Sequence, residues 1–189
     1  DKPGGHSTHD APIALGGGIV IFWISVLPLV IGLTIAFVWN KHGSPDWLPA
    51  SLEIHLAGLV SRWQMVVVLV LSAAMLHGLG LIDDRVRLGP WLKLGVQVAV
   101  ASSLAILGDI RFTFFLDNTL VTTILSILWI VVIINAFNFL DNMDGLTAGI
   151  AGITGLTIFA IATNHGQFLV AALAVAVAVP VAVAATTRR

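Results

Sequence analysis

Six long apolar runs constrain this chain more than any other feature of its sequence. They cover residues 14–39, 63–82, 91–107, 119–140, 145–163 and 168–187. Roughly 20 apolar residues cross the hydrocarbon core of a bilayer as a helix, and these runs reach or approach that length. Backbone groups inside a bilayer must be hydrogen-bonded within their own segment, which favours helices. We therefore predict an all-α, polytopic membrane helix bundle of about six transmembrane helices, forming one membrane domain over residues 1–189.

The composition supports a membrane class. Of 189 residues, 58% are hydrophobic and only 10% are charged, whereas a soluble domain has about 25% charged residues. The net charge of −1 argues against a nucleic-acid partner. The absence of cysteine excludes disulfides and thiolate metal sites. The lipid bilayer is thus the first expected partner.

The stretch between the first two runs, residues 40–62, is too long for a simple turn. Within it Leu52, Leu56, Leu59 and Val60 recur at helical spacing. This spacing predicts a short helix, which either lies at the membrane interface or packs on its neighbours.

The basic residues are divided unevenly between the two ends of the predicted spans. One end carries Lys2, Arg85, Arg87, Lys93, Arg188 and Arg189, and the other carries Lys41, Arg62 and Arg111. Cytoplasmic loops are enriched in Lys and Arg, so the first end is predicted to be cytoplasmic. Asp83, Asp84, Asp141 and Asp144 all fall at this end, where they can converge on one site.

A pair of carboxylates, Asp83 and Asp84, closes the second apolar run. Two neighbouring carboxylates are compatible with a hard cation such as Mg²⁺, which prefers oxygen ligands and often shares its shell with substrate phosphates. The alternative is a solvated pair that interacts with Arg85 and Arg87, as surface charges commonly do. The pair alone leaves both interpretations open.

A second polar cluster begins inside the end of the fourth run and continues past it; it consists of Asn135, Asn138, Asp141, Asn142 and Asp144. Positions three apart stay on one slowly rotating stripe of a helix, so Asn135 and Asn138 are expected to face the same way. Interhelical hydrogen bonding would explain one asparagine well. Two asparagines followed by two aspartates favour a functional site, with a metal ion, a cationic substrate or a metal-bound phosphate.

Other polar residues near the predicted cytoplasmic end allow two interpretations each. Lys93 and Gln97 are four residues apart on one helical face, and Lys93 either contacts phosphate or extends its ammonium to the headgroups. His6 and His9 in HSTH either bind a ligand or lie free in a loop.

The motifs together resemble a known membrane family. GLIDDRVRLGPWLKLGVQ (residues 80–97) and NAFNFLDNMDGLTAGI (residues 135–150) are similar to motifs of the polyprenyl-phosphate N-acetylhexosamine-1-phosphate transferases, of glycosyltransferase family 4 type. DKPGGHSTHDAPIALGGG (residues 1–18) resembles the cytoplasmic loop ahead of that family's second span. Relatives include undecaprenyl-phosphate GlcNAc-1-phosphate transferase and phospho-MurNAc-pentapeptide transferase.

The resemblance implies a reaction and a location. A UDP-N-acetylhexosamine donates its sugar-1-phosphate to a polyprenyl phosphate, such as undecaprenyl phosphate, and UMP is released. The implied cofactor is Mg²⁺, with Mn²⁺ as an alternative, and a homodimer is among the assemblies allowed. The implied place is the cytoplasmic face of the inner (plasma) membrane, in peptidoglycan, lipopolysaccharide or other surface-polysaccharide synthesis. We expect the chain to be the central part of a longer transferase of about ten spans, each of roughly 20 residues.

The resemblance also implies site roles. The expected catalytic residues are Asp83, Asp84, Asp144 and Lys93; the expected substrate-binding residues are Asn135, Asn138, Asp141, Asn142 and His9; the expected metal ligands are Asp83, Asp84, Asn138 and Asp141. The family has a lysine at the position of Lys93, which favours phosphate contact over an extension to the headgroups.

Two other functions fit parts of the pattern. A cation-binding transporter would also place Asn and Asp in its spans, but near the bilayer midplane rather than at one end. An inactive membrane scaffold is the second alternative. The midplane portions of the runs are nearly all Val, Leu, Ile and Ala, which favours the transferase over the transporter.

Overall fold

The computed structural model describes residues 17–113, 115–140 and 146–187, and every regular element in these ranges is an α-helix. The helices are α1 (Gly17–His42), α2 (Ala50–Ser61), α3 (Trp63–Val86), α4 (Pro90–Ile106), α5 (Thr119–Leu140), α6 (Leu146–Asn164) and α7 (Phe168–Thr187). The predicted all-α, polytopic class is confirmed. The short helix expected between the first two runs is α2.

In the part of the chain that the structure describes, four helices are long and apolar enough to cross a bilayer: α1 from Gly18, α3, α5 and α6. The other two apolar runs also form helices, but these are shorter, at Pro90–Ile106 for α4 and Phe168–Val181 within α7. All six runs are therefore helical.

The helix α4 lies at the centre of one half of the molecule. It packs against both α3 and α5. Its buried residues, Gln97, Val100, Ala101 and Ala105, are spaced i, i+3, i+4 and i+8 and so form one stripe of the helix. The short connection over residues 87–89 makes α3 and α4 antiparallel, so the end of α3 lies beside the start of α4.

The helices α6 and α7 form the other half as a tight hairpin, and α1 packs against α7. The two helices of the hairpin touch at Gly155: a Cβ atom built on this residue would lie 2.6 Å from Cβ of Ala178 and 3.2 Å from the carbonyl oxygen of Ala174. Small residues allow membrane helices to approach this closely, where van der Waals packing supplies the attraction.

The helix α1 connects the two halves, because it also contacts α3. The Phe22 and His77 rings stack with centroids 4.6 Å apart and planes 3° apart. This contact aligns the beginning of α1 with the second half of α3.

At the other end of the bundle, the ring of His55 in α2 contacts the ring of Phe168 at the start of α7. An apolar groove of about 520 Å³ separates α5 from the hairpin, and Phe137, Ile158 and Val177 are among its lining residues.

Candidate functional site

The connection between α3 and α4 places the first aspartate pair. Arg87 adopts a left-handed conformation with φ 50, which ends α3, and its N–H donates to the carbonyl oxygen of Asp83 at 2.9 Å. The N–H of Leu88 donates to Oδ1 of Asp83 at 2.8 Å. Pro90 then begins α4, at a position where its missing N–H costs nothing. The sequence prediction ended this span at Ile82; the helix instead continues to Val86, so both aspartates lie in its last turns rather than in the loop.

The carboxylate of Asp83 forms an ion pair with the first turn of α4. Nζ of Lys93 lies 2.5 Å from Oδ2 of Asp83, and their side chains are 36% and 28% exposed. Both carboxylate oxygens of Asp83 are thus engaged, one by Leu88 and one by Lys93. An ion pair this exposed adds about 1 kcal/mol at most to stability. The ion pair mainly fixes the positive charge of Lys93 beside the carboxylates of Asp83 and Asp84.

Asp84 differs from its neighbour. Its residue is exposed, and its carboxylate forms no hydrogen bond or ion pair with any residue that the structure describes. Consecutive residues on a helix point in different directions, so Asp84 does not share the contacts of Asp83. The arrangement gives one carboxylate held in place and one available to a cation.

A second interhelical contact joins α4 to α5. Nδ2 of Asn135 donates to Oε1 of Gln97 at 2.7 Å and also to the carbonyl oxygen of Val131 at 2.8 Å. Gln97 is only 3% exposed, whereas Asn135 is exposed. Buried polar groups are nearly always hydrogen-bonded, and this contact supplies the partner for the Gln97 amide.

The two contacts follow one another along α4. Lys93 and Gln97 are one helical turn apart, so they share a face of the helix and contact α3 and α5 respectively. Asn138 lies nearly one turn beyond Asn135, towards the end of α5. It is exposed and has no hydrogen bond among the described residues. The geometry places Asp83 and Lys93 where α3 ends and α4 begins, and the Gln97–Asn135 contact about one turn further into the bundle.

The remaining predicted site residues, Asp141, Asn142, Asp144 and His9, lie outside the described residues. Their predicted roles stay predictions. Within ranges 17–113, 115–140 and 146–187, no group of three or more His, Asp or Glu side chains is placed to hold a metal ion. The predicted ligand set contains Asp141, so the described part alone does not test the Mg²⁺ prediction.

Gln97 is the contact that the sequence prediction missed. Its spacing from Lys93 was visible, and an amide inside an apolar run is a signal in itself. Nothing in the sequence, however, indicated which neighbouring helix would meet it. Only the packing of α4 against α5 identifies Asn135 as its partner.

The fold and the polar end of the bundle define a polytopic membrane protein with a charged site where its spans end. The family model described as glycosyl transferase family 4 matches residues 66–186, more than half of the chain and including both acidic motifs. The chain belongs to glycosyl transferase family 4. This membership indicates a transferase that moves a phospho-sugar to a polyprenyl phosphate. No curated protein and no solved structure matched the chain in the corresponding searches.

Proposed function

We propose that this protein transfers N-acetylhexosamine-1-phosphate from a UDP-sugar to a polyprenyl phosphate at the cytoplasmic membrane face. One observation carries the proposal: a fixed Asp83–Lys93 pair lies beside Asp84, whose carboxylate has no partner among the described residues, within the region matched by the family. A transporter would need comparable polar groups along its spans. The contacts of these residues lie instead at one end of the bundle.

The proposed reaction exchanges one phosphoanhydride bond for another. A phosphate oxygen of the lipid attacks the phosphorus that carries the sugar. The bond to the UMP phosphate breaks, and UMP leaves with the electron pair. The product is a lipid-linked diphosphosugar. Several negative charges approach one another in this step, so positive charge placed beforehand lowers the barrier.

The residues present fit that requirement. Lys93 supplies a fixed ammonium, and its ion pair with Asp83 prevents it from extending freely into solution. Carboxylate and amide oxygens are the ligands that Mg²⁺ prefers, and Asp84, Asn138 and Asp141 would offer them. When bound, Mg²⁺ would neutralise charge on the diphosphate and orient it. Asp83 then serves to orient Lys93 and the helix end.

The position of the site suits a reaction between unlike substrates. The acceptor carries its phosphate at the membrane surface, and the nucleotide sugar arrives from water. A charged site at the ends of apolar helices is accessible to both. The excess of Lys and Arg at this end supports a cytoplasmic location, in the plasma membrane of a cell that builds surface polysaccharide.

The test is a UMP-release assay on the protein in its full natural length, in lipid nanodiscs with undecaprenyl phosphate. A panel of UDP-sugars is offered with Mg²⁺, with Mn²⁺ and with a chelator. We expect UMP release from a UDP-N-acetylhexosamine, dependent on both the lipid phosphate and the metal. Release without lipid phosphate, or no release from any donor, would overturn the proposal. Donor-independent cation flux into vesicles would support the transporter instead.

A further inference from the structure

Gln97 is a buried amide within an otherwise apolar stripe. Its neighbours on that stripe are Val100, Ala101 and Ala105, all at most 1% exposed. A leucine or methionine would fill the same place without a polar group that needs a partner. The side-chain carbonyl oxygen of Gln97 accepts a hydrogen bond from Asn135, 38 residues further along the chain. Packing alone therefore gives no reason for an amide at this position.

The place of Gln97 in the bundle supplies a reason. The two polar motifs belong to different helices, α3 and α5, and α4 packs against both. Lys93 fixes α4 to Asp83 of the first motif. Gln97, one turn further, fixes α4 to Asn135 of the second. Two side chains of one helix face thus hold the motifs in register.

We infer that Gln97 is a positioning residue: through Asn135 it sets the rotation of α5, and so the placement of Asn138 relative to Asp83 and Asp84. The inference rests on the proposed function, in which both motifs serve one metal-assisted site. Gln97 touches neither substrate nor metal. Residues that orient ligands in this way typically contribute about 10–100-fold in metal affinity or activity.

A purely structural role gives a different expectation. A single interhelical hydrogen bond in a membrane contributes modestly to stability. If Gln97 only joined two helices, its loss would lower stability slightly and would leave the metal dependence unchanged. The Mg²⁺ dependence of the reaction therefore separates the two roles.

The experiment compares Gln97→Met with Ser126→Ala in the full-length protein. Ser126 is the matched control, because it is fully buried in α5, the helix of Asn135, and its Oγ accepts a hydrogen bond from the N–H of Phe112 at 2.8 Å. That contact lies in the first half of α5, well before the asparagines. Gln97→Met loses the interhelical hydrogen bond with Asn135. Ser126→Ala loses the helix-to-loop bond from Phe112 and the local bond that its own hydroxyl donates to the carbonyl oxygen of Thr122.

For Gln97→Met we expect the Mg²⁺ concentration for half-maximal activity to rise about tenfold and kcat to fall by a similar factor. For Ser126→Ala we expect both values within about twofold of wild type, since the site is untouched. Parallel losses of activity in both variants, with no change in Mg²⁺ dependence, would assign Gln97 a structural role and overturn the inference.

Two further measurements keep the outcome decisive. Should Gln97→Met fail to fold, Gln97→Asn retains the amide but withdraws it by one methylene, and the same shift in Mg²⁺ dependence is expected.

Binding of Mn²⁺, followed by electron paramagnetic resonance, needs no turnover, and we expect Gln97→Met to weaken it about tenfold. Wild-type protein that binds Mn²⁺ but releases no UMP contradicts the proposed function alone. Unchanged Mn²⁺ affinity in Gln97→Met contradicts the inference alone.

Discussion

The two halves of this molecule are held together by different means. In the half built from α3, α4 and α5, side-chain contacts between Asp83 and Lys93 and between Gln97 and Asn135 join successive helices. In the α6–α7 hairpin, the helices meet through Gly155 and Ala178, with a backbone carbonyl close by. The first half uses polar side-chain contacts, one at the end of the bundle and one about a turn further in, whereas the second uses close backbone approach near the middle of both helices.

The polar contacts of the first half position charged groups, whereas the close packing of the hairpin stabilises the fold. Polar contacts between membrane helices are individually weak, but they fix the direction in which charged groups point. Close approach of small residues stabilises the hairpin by van der Waals packing along the contact, and it places no reactive group. We therefore expect substitutions in the first half to change activity more than stability. Substitutions in the hairpin should do the reverse.

The largest effect is expected from Asp84→Asn. Removing the carboxylate available to a cation should lower kcat about 10³-fold, as loss of a preorganised charge-stabilising group does, with thermal stability nearly unchanged. UMP release and a melting curve measure the two quantities. Asp109→Asn is the matched control, because Asp109 is an exposed, ion-paired aspartate with φ 51, a conformation that asparagine tolerates. Full activity in Asp84→Asn would remove this residue from the site.

A somewhat smaller loss, about 10²-fold in kcat/KM, is expected from Lys93→Met, which keeps the aliphatic stem and removes the ammonium. The other ion pair of the described residues, Arg111 with Asp109, provides the comparison. Arg111→Met should leave turnover intact. Equal effects of the two substitutions would mean that the position of Lys93 has no special importance.

In the hairpin, Gly155→Ala should lower the free energy of unfolding by about 1–3 kcal/mol, the usual cost of overpacking. The added methyl group would meet Cβ of Ala178 at 2.6 Å, so the helices must separate. Gly149→Ala in the same helix is the control, since nothing lies within 4 Å of its Cβ position. The second substitution Ala178→Gly should restore much of the loss. Activity per folded molecule should stay near wild type.

The smallest effect is expected from Thr122→Val, in the first half but far from the polar end. Thr122 is 3% exposed, and its hydroxyl donates to the carbonyl oxygen of Thr119 at 3.1 Å. Valine has the same shape and loses only this local bond, so the stability change should stay below about 1 kcal/mol. A loss of activity here would show that the effect of polar substitutions in this half does not depend on their distance from the site.

Much of the fold was predictable because apolar run length directly reflects membrane thickness. All six runs became helices, and the spacing of Leu52, Leu56 and Leu59 correctly indicated α2. The apolar run ends at Ile82, but α3 continues through Asp83 and Asp84 to Val86. Arg87, a residue that rarely adopts a left-handed conformation, ends the helix instead.

The site was predictable in its residues but not in its contacts. Periodicity placed Lys93 and Gln97 on one face, yet it carries no information on which helix lies opposite that face. The neighbours of α4 depend on how all the helices pack, so the Gln97–Asn135 contact required the structure. The polar residues after Leu140 lie outside the described residues, and their roles rest on the resemblance and the family match.

The length of α4 has a consequence for the bilayer itself. Its 17 residues at 1.5 Å each give a helix of about 25 Å, shorter than the roughly 30 Å hydrocarbon core. A bilayer can accommodate a helix of this length by thinning locally, at a cost of fractions of a kcal/mol per Å of mismatch. Such thinning would draw the headgroup region inward next to Lys93 and would bring water and lipid phosphate to the same depth. We expect turnover to fall in bilayers of longer acyl chains, since thickness there opposes this inward displacement.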